Sequence, residues 1–150
     1  MRSTWISLAK FAPAMALALA LPGLAVHGLS AGGPRPARSE FGLGPRRSAT
    51  GAYVATLVPA RPLSGRGVQR IELRLTDSTS TPVDGATIAV DGAMPEHHHG
   101  MPTQPRITTA LGDGRYLVDG VRFSMPGWWT LTFVVDAAAG RDSVTFNLKL

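Results

Sequence analysis

Trp128-Trp129-Thr130-Leu131-Thr132-Phe133-Val134-Val135-Asp136 places its bulkiest apolar side chains at alternate positions, with threonine between them. Side chains of an extended chain point to opposite faces in turn, so Trp129, Leu131, Phe133 and Val135 share one face. That period of two is the mark of a half-buried strand. The same reading applies to residues 143–150, where Val144, Phe146, Leu148 and Leu150 alternate with Ser143, Thr145, Asn147 and Lys149. Trp129 has the parity of the apolar face and is expected to anchor a core, with Trp128 exposed or shielding the loop around Met125.

Outward from this stretch the period persists back to Gly51. Residues 52–58 form an apolar run, and in residues 68–76 Ile71, Leu73 and Leu75 alternate with Arg70, Glu72 and Arg74. Residues 87–91 give a short strand with Ile88 and Val90 on one face. Residues 106–111, where Ile107, Thr109 and Leu111 alternate as one face, and 115–118 flank Gly112-Asp113-Gly114, a tight hairpin signal. Asp119-Gly120 allows a bend, and residues 121–125 read as another strand stopping at Pro126-Gly127. No segment after residue 50 carries a 3.6-residue apolar period. Seven or eight short strands with frequent turns predict an all-β fold, an immunoglobulin-like antiparallel β-sandwich.

The chain has 150 residues and a formal charge of +5. Residues 1–30 carry Arg2 and Lys10, no acid, and an apolar run over 11–21 ending at Pro22-Gly23. This is the layout of a signal peptide, or of an N-terminal anchor helix over residues 5–26. Either reading places the rest outside the cytoplasm, in the periplasm or its equivalent. Residues 31–50, rich in Gly, Pro and Arg, read as a flexible linker. Residues 51–150 then hold nine basic and nine acidic groups, a neutral domain with no footprint for nucleic acid. Membrane contact is expected only through the N-terminal segment. Cysteine is absent, which excludes disulfides, thiolate metal sites and a cysteine nucleophile.

Chemistry concentrates in Met94-Pro-Glu-His97-His98-His99-Gly-Met101-Pro-Thr-Gln-Pro105, which holds three of the four histidines and two of the five methionines. Imidazole binds borderline cations such as Cu(II), and thioether sulfur favours Cu(I), so the mixture points to copper. In an extended backbone His97 and His99 share a face and His98 takes the other. Met125, in a second Pro-Gly loop, is a further sulfur candidate. The competing reading is a solvated connection between strands, since a histidine tract alone is a compositional cue. Carboxylates stand singly in turns, and no nucleophile elbow, zincin helix or phosphate-binding loop accompanies them, so enzyme activity is not expected.

The set formed by this loop, Gly114-Arg-Tyr116, Phe123-Ser-Met125-Pro-Gly127-Trp128 and a terminal Val-Thr-Phe strand resembles the YtkA-like domain over roughly residues 68–150. It is more distantly similar to the FixH family, associated with assembly of copper-containing oxidases. The resemblance implies an extracytoplasmic β-sandwich, with copper handling in several members. His97 and His99 match the alternating pair of a His-Gly-His-Gly run. His98 stands where a small residue is usual, and Ser124 where a histidine is common. Two functions follow as expectations. One is a copper-binding accessory protein with ligands from His97, His99, Met101, Met94, His98 and Met125. The other is a metal-free module that contacts a membrane or periplasmic protein partner.

Overall fold

The computed structural model describes residues 34–150, and the segment read as signal or anchor lies outside them. Nine strands follow in order: β1 (Arg46–Arg47), β2 (Tyr53–Pro59), β3 (Gln69–Asp77), β4 (Thr87–Met94), β5 (His99–Gly100), β6 (Arg106–Gly112), β7 (Arg115–Val121), β8 (Trp128–Ala137) and β9 (Gly140–Lys149). They build two antiparallel sheets, ordered β1-β2-β3-β7-β6 and β5-β4-β8-β9. The period-two stretches face each other across one core. Tyr53, Leu57, Ile71, Leu73, Leu75, Tyr116 and Val118 come from the first sheet, and Trp129, Leu131, Phe133, Val144 and Phe146 from the second. Each such side chain gains about 1.5–3 kcal/mol on burial.

Register fixes the pairing of the deciding stretch. Trp129 lies opposite Leu148, Leu131 opposite Phe146, and Phe133 opposite Val144 on β9, while Phe133 faces Val90 and Leu131 faces Gly92 on β4. Phe133 and Phe146 meet edge to face, with centroids 5.9 Å apart. At the β6–β7 hairpin, Asp113 (φ 54°) and Gly114 (φ 67°) both take positive φ, as a two-residue primed turn requires. A side chain at 114 would also run into the Leu75 carbonyl.

Four expectations are corrected. The separate strand over 121–125 does not form: β7 runs through Asp119-Gly120 to Val121, and Phe123 is a fully buried anchor in the loop that follows. The expected Ile107, Thr109 and Leu111 face of β6 is largely open, because β6 is an edge strand and Thr109 and Leu111 are exposed. Trp128 is not exposed. It is 5% accessible, packs edge-on against Phe41 at 6.4 Å and donates its indole N–H to Asn147 Oδ1. Nor are residues 41–49 a free linker, since Phe41 bridges to Asn147, β1 pairs with β2, and the Ala49 N–H donates to the Ser143 carbonyl. That segment runs from the edge of one sheet to the edge of the other and closes one side of the sandwich.

Candidate metal centre

The histidine loop grows from the end of β4. Pro95–His97 is a single 3-10 turn with Pro at its start, and His98 ends it in the left-handed conformation (φ 53°, ψ 35°). His99 and Gly100 then return as β5, with His99 opposite Met94 and Gly100 opposite Ala93. The extended backbone expected for His97 to His99 is therefore replaced by a turn. Proline fixes φ in the helical range at position 95, and one left-handed residue reverses the chain. Curling rather than alternation brings His97 and His99 together, with ring centroids 6.0 Å apart.

All three histidines are exposed. His99 is the oriented one. Its ring stands edge-on to Trp129 at 5.7 Å, and its Nδ1 lies 2.9 Å from the Gly100 carbonyl oxygen. A carbonyl only accepts, so Nδ1 carries the proton and Nε2 keeps its lone pair. A carbonyl on the far nitrogen is the common way to fix a ligating imidazole. With metal–nitrogen bonds of about 2.0 Å, two imidazoles sharing an ion have centroids at most about 6.3 Å apart. The observed 6.0 Å lies within that reach. By that separation one ion could lie between the His97 and His99 rings, and the described residues hold no group of three or more His, Cys, Asp or Glu side chains placed for a metal.

The methionines occupy other places. Met94 is 1% accessible, and its Cε fills the space that a side chain at Gly127 would need. Met101 folds back over Gly92, so that its Cε, Sδ and Cγ occupy the position of the missing Cβ, and its N–H donates to the Gly92 carbonyl. Both therefore pack as core and rim residues. Met125 is 37% accessible, but the atom that ties it to the site is its carbonyl oxygen, which accepts from Trp129 Nε1 at 3.0 Å. Trp129 so links the two loops from beneath. Period-two parity identified its burial, but its contact with His99 comes from the pairing of β5 with β4, for which the sequence carries no signal.

Near the chain's first described residues, Arg35 reaches Glu96 at 3.4 Å, beside His97. Carboxylates elsewhere are held by local partners. Asp142, 7% accessible, accepts from the Thr50 hydroxyl at 2.6 Å and from the Thr50 and Ser143 N–H groups. Donation from Thr50, then Ser48 and the backbone, keeps its carboxyl well below the usual range. Asp119 is lowered by Arg70 and Thr108, and Asp77 by Thr79 and Thr81.

Two antiparallel sheets over one core, with a three-histidine loop on the edge of the smaller sheet, define an all-β sandwich domain with an exposed His97–His99 pair. The chain belongs to the YtkA-like family, whose model matches residues 48–134. No curated protein matches the sequence. Among solved structures, the ZirS C-terminal domain is similar over 97% of this chain and 88% of its own, at 11% identity and a TM-score of 0.40.

Proposed function

We propose that this chain is an extracytoplasmic accessory domain without catalytic activity that holds a copper ion between His97 and His99 and passes it to a partner. The observation that carries this reading is the His97–His99 pair, 6.0 Å apart on an exposed turn, with His99 turned so that Nε2 faces away from its own backbone bond. Two imidazoles supply half of a four-ligand set. A half-complete, exposed site suits hand-over better than storage, because an incoming ligand needs no protein ligand to leave first. Met125 is the sulfur best exposed to add to it, and oxidase assembly is the setting that the FixH resemblance implies. The strand order β2-β3-β7-β6 opposite β4-β8-β9 supports an immunoglobulin-like sandwich, in which loops at one end carry binding residues.

Titration of the purified protein with Cu(II) against a competing chelator tests the assignment. The His97→Ala, His99→Ala double substitution is expected to weaken binding at least tenfold, about 1.4 kcal/mol, without unfolding the domain. Equal affinity in the two proteins would overturn it. Export is checked by intact mass and N-terminal sequencing of the protein recovered outside the cytoplasm. The expected mature start falls near residues 25–34, or the full chain is found membrane-bound.

A metal-free interaction module is the second reading, and one observation favours it. On the side away from residues 41–49, a groove of about 530 Å³ opens between β4 and residues 100–106, lined by Ile88, Val90, Met101, Gln104 and Pro105. Among the described strands, β4 has no partner there before Ala93. An extended peptide could add to that edge.

A further inference from the structure

We propose that the end of the sandwich carrying the histidine loop is a membrane-facing surface for anionic phospholipid, with Arg61, Arg66 and Arg122 against the headgroups and Val68 and Met125 among them. The proposal rests on the extracytoplasmic reading above for which leaflet is met, draws its third observation from the anchor reading, and does not rest on copper.

Three observations converge on this end. The first is a junction of loops. Residues 60–68 and 122–127 both close it, and Gly65 lies against the backbone of Met125, where a built Cβ would stand 3.9 Å away. Leu63 packs on the core and roots the first loop. Arg61, Arg66 and Val68 are left around one depression of about 260 Å³. Val68 is 62% accessible and Met125 37%, two of the four large hydrophobic residues that the described surface exposes. An apolar tip ringed by arginine is the chemistry of an interfacial contact.

The second observation is charge. Arg61, Arg66 and Arg122 form no ion pair among the described residues, and no acidic residue precedes Glu40 in the sequence. The acids of this end are Glu40, Glu96 and Asp119, and of these Glu96 is paired with Arg35 and Asp119 with Arg70. The opposite end gathers Asp77, Asp84, Asp113, Asp136 and Asp142, at the ends of β3, β7, β8 and β9 and in the loop before β4, which offset Arg46, Arg47, Arg115 and Arg141 there. The molecule is a dipole whose positive end is this one. Near an anionic surface each arginine contributes roughly fivefold in affinity, so a bilayer attracts the positive end more than the other.

The third is where the chain enters. Arg35 is held at this end by Glu96. Seven residues, 27–33, separate Pro34 from Val26, the last residue of the stretch read as an anchor. Fully extended, that spacer reaches under about 30 Å. Where the apolar stretch is kept as an anchor, this end of the domain is the one that the spacer ties within that reach of the bilayer.

The absence of cysteine permits a direct test in the full, copper-free chain. Val68→Cys, Met125→Cys and, at the opposite end, Leu111→Cys are each labelled with the environment-sensitive fluorophore NBD. They are mixed with vesicles of phosphatidylcholine, with or without phosphatidylglycerol. Labels at 68 and 125 are expected to shift to the blue and brighten on anionic vesicles, the label at 111 to stay unchanged, and added salt to reverse the response. Joint replacement of Arg61, Arg66 and Arg122 by Gln should weaken the response-derived affinity on the order of 100-fold. Silent labels at 68 and 125, or an equal response at 111, would overturn the proposal. Chain retained on both kinds of vesicle with silent labels means that the N-terminal segment anchors and this surface does not bind. Labels that respond while the chain floats free of neutral vesicles keep the surface and remove the anchor.

Discussion

The two ends of this sandwich treat their polar groups in opposite ways. At the end where β9 begins, the polar groups are tied inward. Asp142 is capped by Thr50 and Ser143, Tyr53 donates to the Gly140 carbonyl at 2.5 Å, and Tyr116 donates to the Val83 carbonyl at 2.7 Å. Asp84 accepts from the Gly114 N–H at 2.9 Å. At the end where β4 finishes, three histidines, Met125 and several arginines are turned to solvent, and the links to the core are Trp129, Phe123 and Leu63. Buried polar groups cost free energy unless they are bonded, so the first end spends its hydrogen bonds on stability. The second leaves lone pairs and charges free for a ligand. The comparison teaches where to look for function in this domain: at the end whose polar atoms have not been used up.

The largest expected effect lies in the body that both ends share. Phe133→Ala should cost about 3–5 kcal/mol in chemical denaturation, the range for a buried aromatic truncation. Thr132→Ala, on the outer face, should cost under about 1 kcal/mol. Equal costs would break the face assignment on which both ends depend. Next comes the open end. Cu(II) affinity should fall as pH drops from about 7 to 5, because protons compete for imidazole nitrogen. A flat profile would move the site away from His97 and His99.

The closed end predicts a different pH response. The folded carboxyl of Asp142 is depressed below its unfolded value, about 3.9, so the unfolded chain takes up a proton first as pH falls. The stability it contributes is complete above that value and is lost below it. Asp142→Asn should lower Tm at neutral pH and flatten the decline of Tm between about pH 5 and 3, as read by thermal melts across that range. An unchanged acid limb would show that the clamp carries no stability.

The smallest effect concerns His98. A left-handed residue with a side chain is strained by about 1 kcal/mol relative to glycine, so His98→Gly should raise stability by about that amount and leave Cu(II) affinity intact. A fall in affinity would make His98 a ligand and break the two-histidine reading. The same conformation gives a physical reason for the small residue that the YtkA-like resemblance places at this position.

Much of the body was legible in the sequence because period-two alternation is a local property that tertiary packing only confirms. Ile71, Leu73, Leu75, Trp129, Leu131, Phe133, Val144 and Phe146 are buried as their parity required. What failed was reading that depends on distant neighbours. Phe123 looked like a strand residue but plugs the core from a loop, and Trp128 has the outer parity yet is covered by Phe41 from a segment that composition alone marks as a linker. The candidate site was half legible. Residue types named the loop, but Met94 and Met101 were drawn into packing by two glycines, Gly127 and Gly92, whose bare Cα atoms left room for them.

By itself, then, the sequence determined the β class, the core face of β3, β8 and β9 and the loop in which histidine and methionine concentrate, since each rests on residue type and spacing along one segment. Tertiary structure alone decided which of those side chains meet. His97 approaches His99 through a left-handed turn, His99 stands on Trp129 through the β4–β5 pairing, and the sulfurs of Met94 and Met101 are taken up by the core and its rim. The physical reason is range. Alternation and propensity act between neighbours in the chain, whereas the partners of a ligand atom are set by contacts among residues far apart in sequence, which exist only once both sheets have closed.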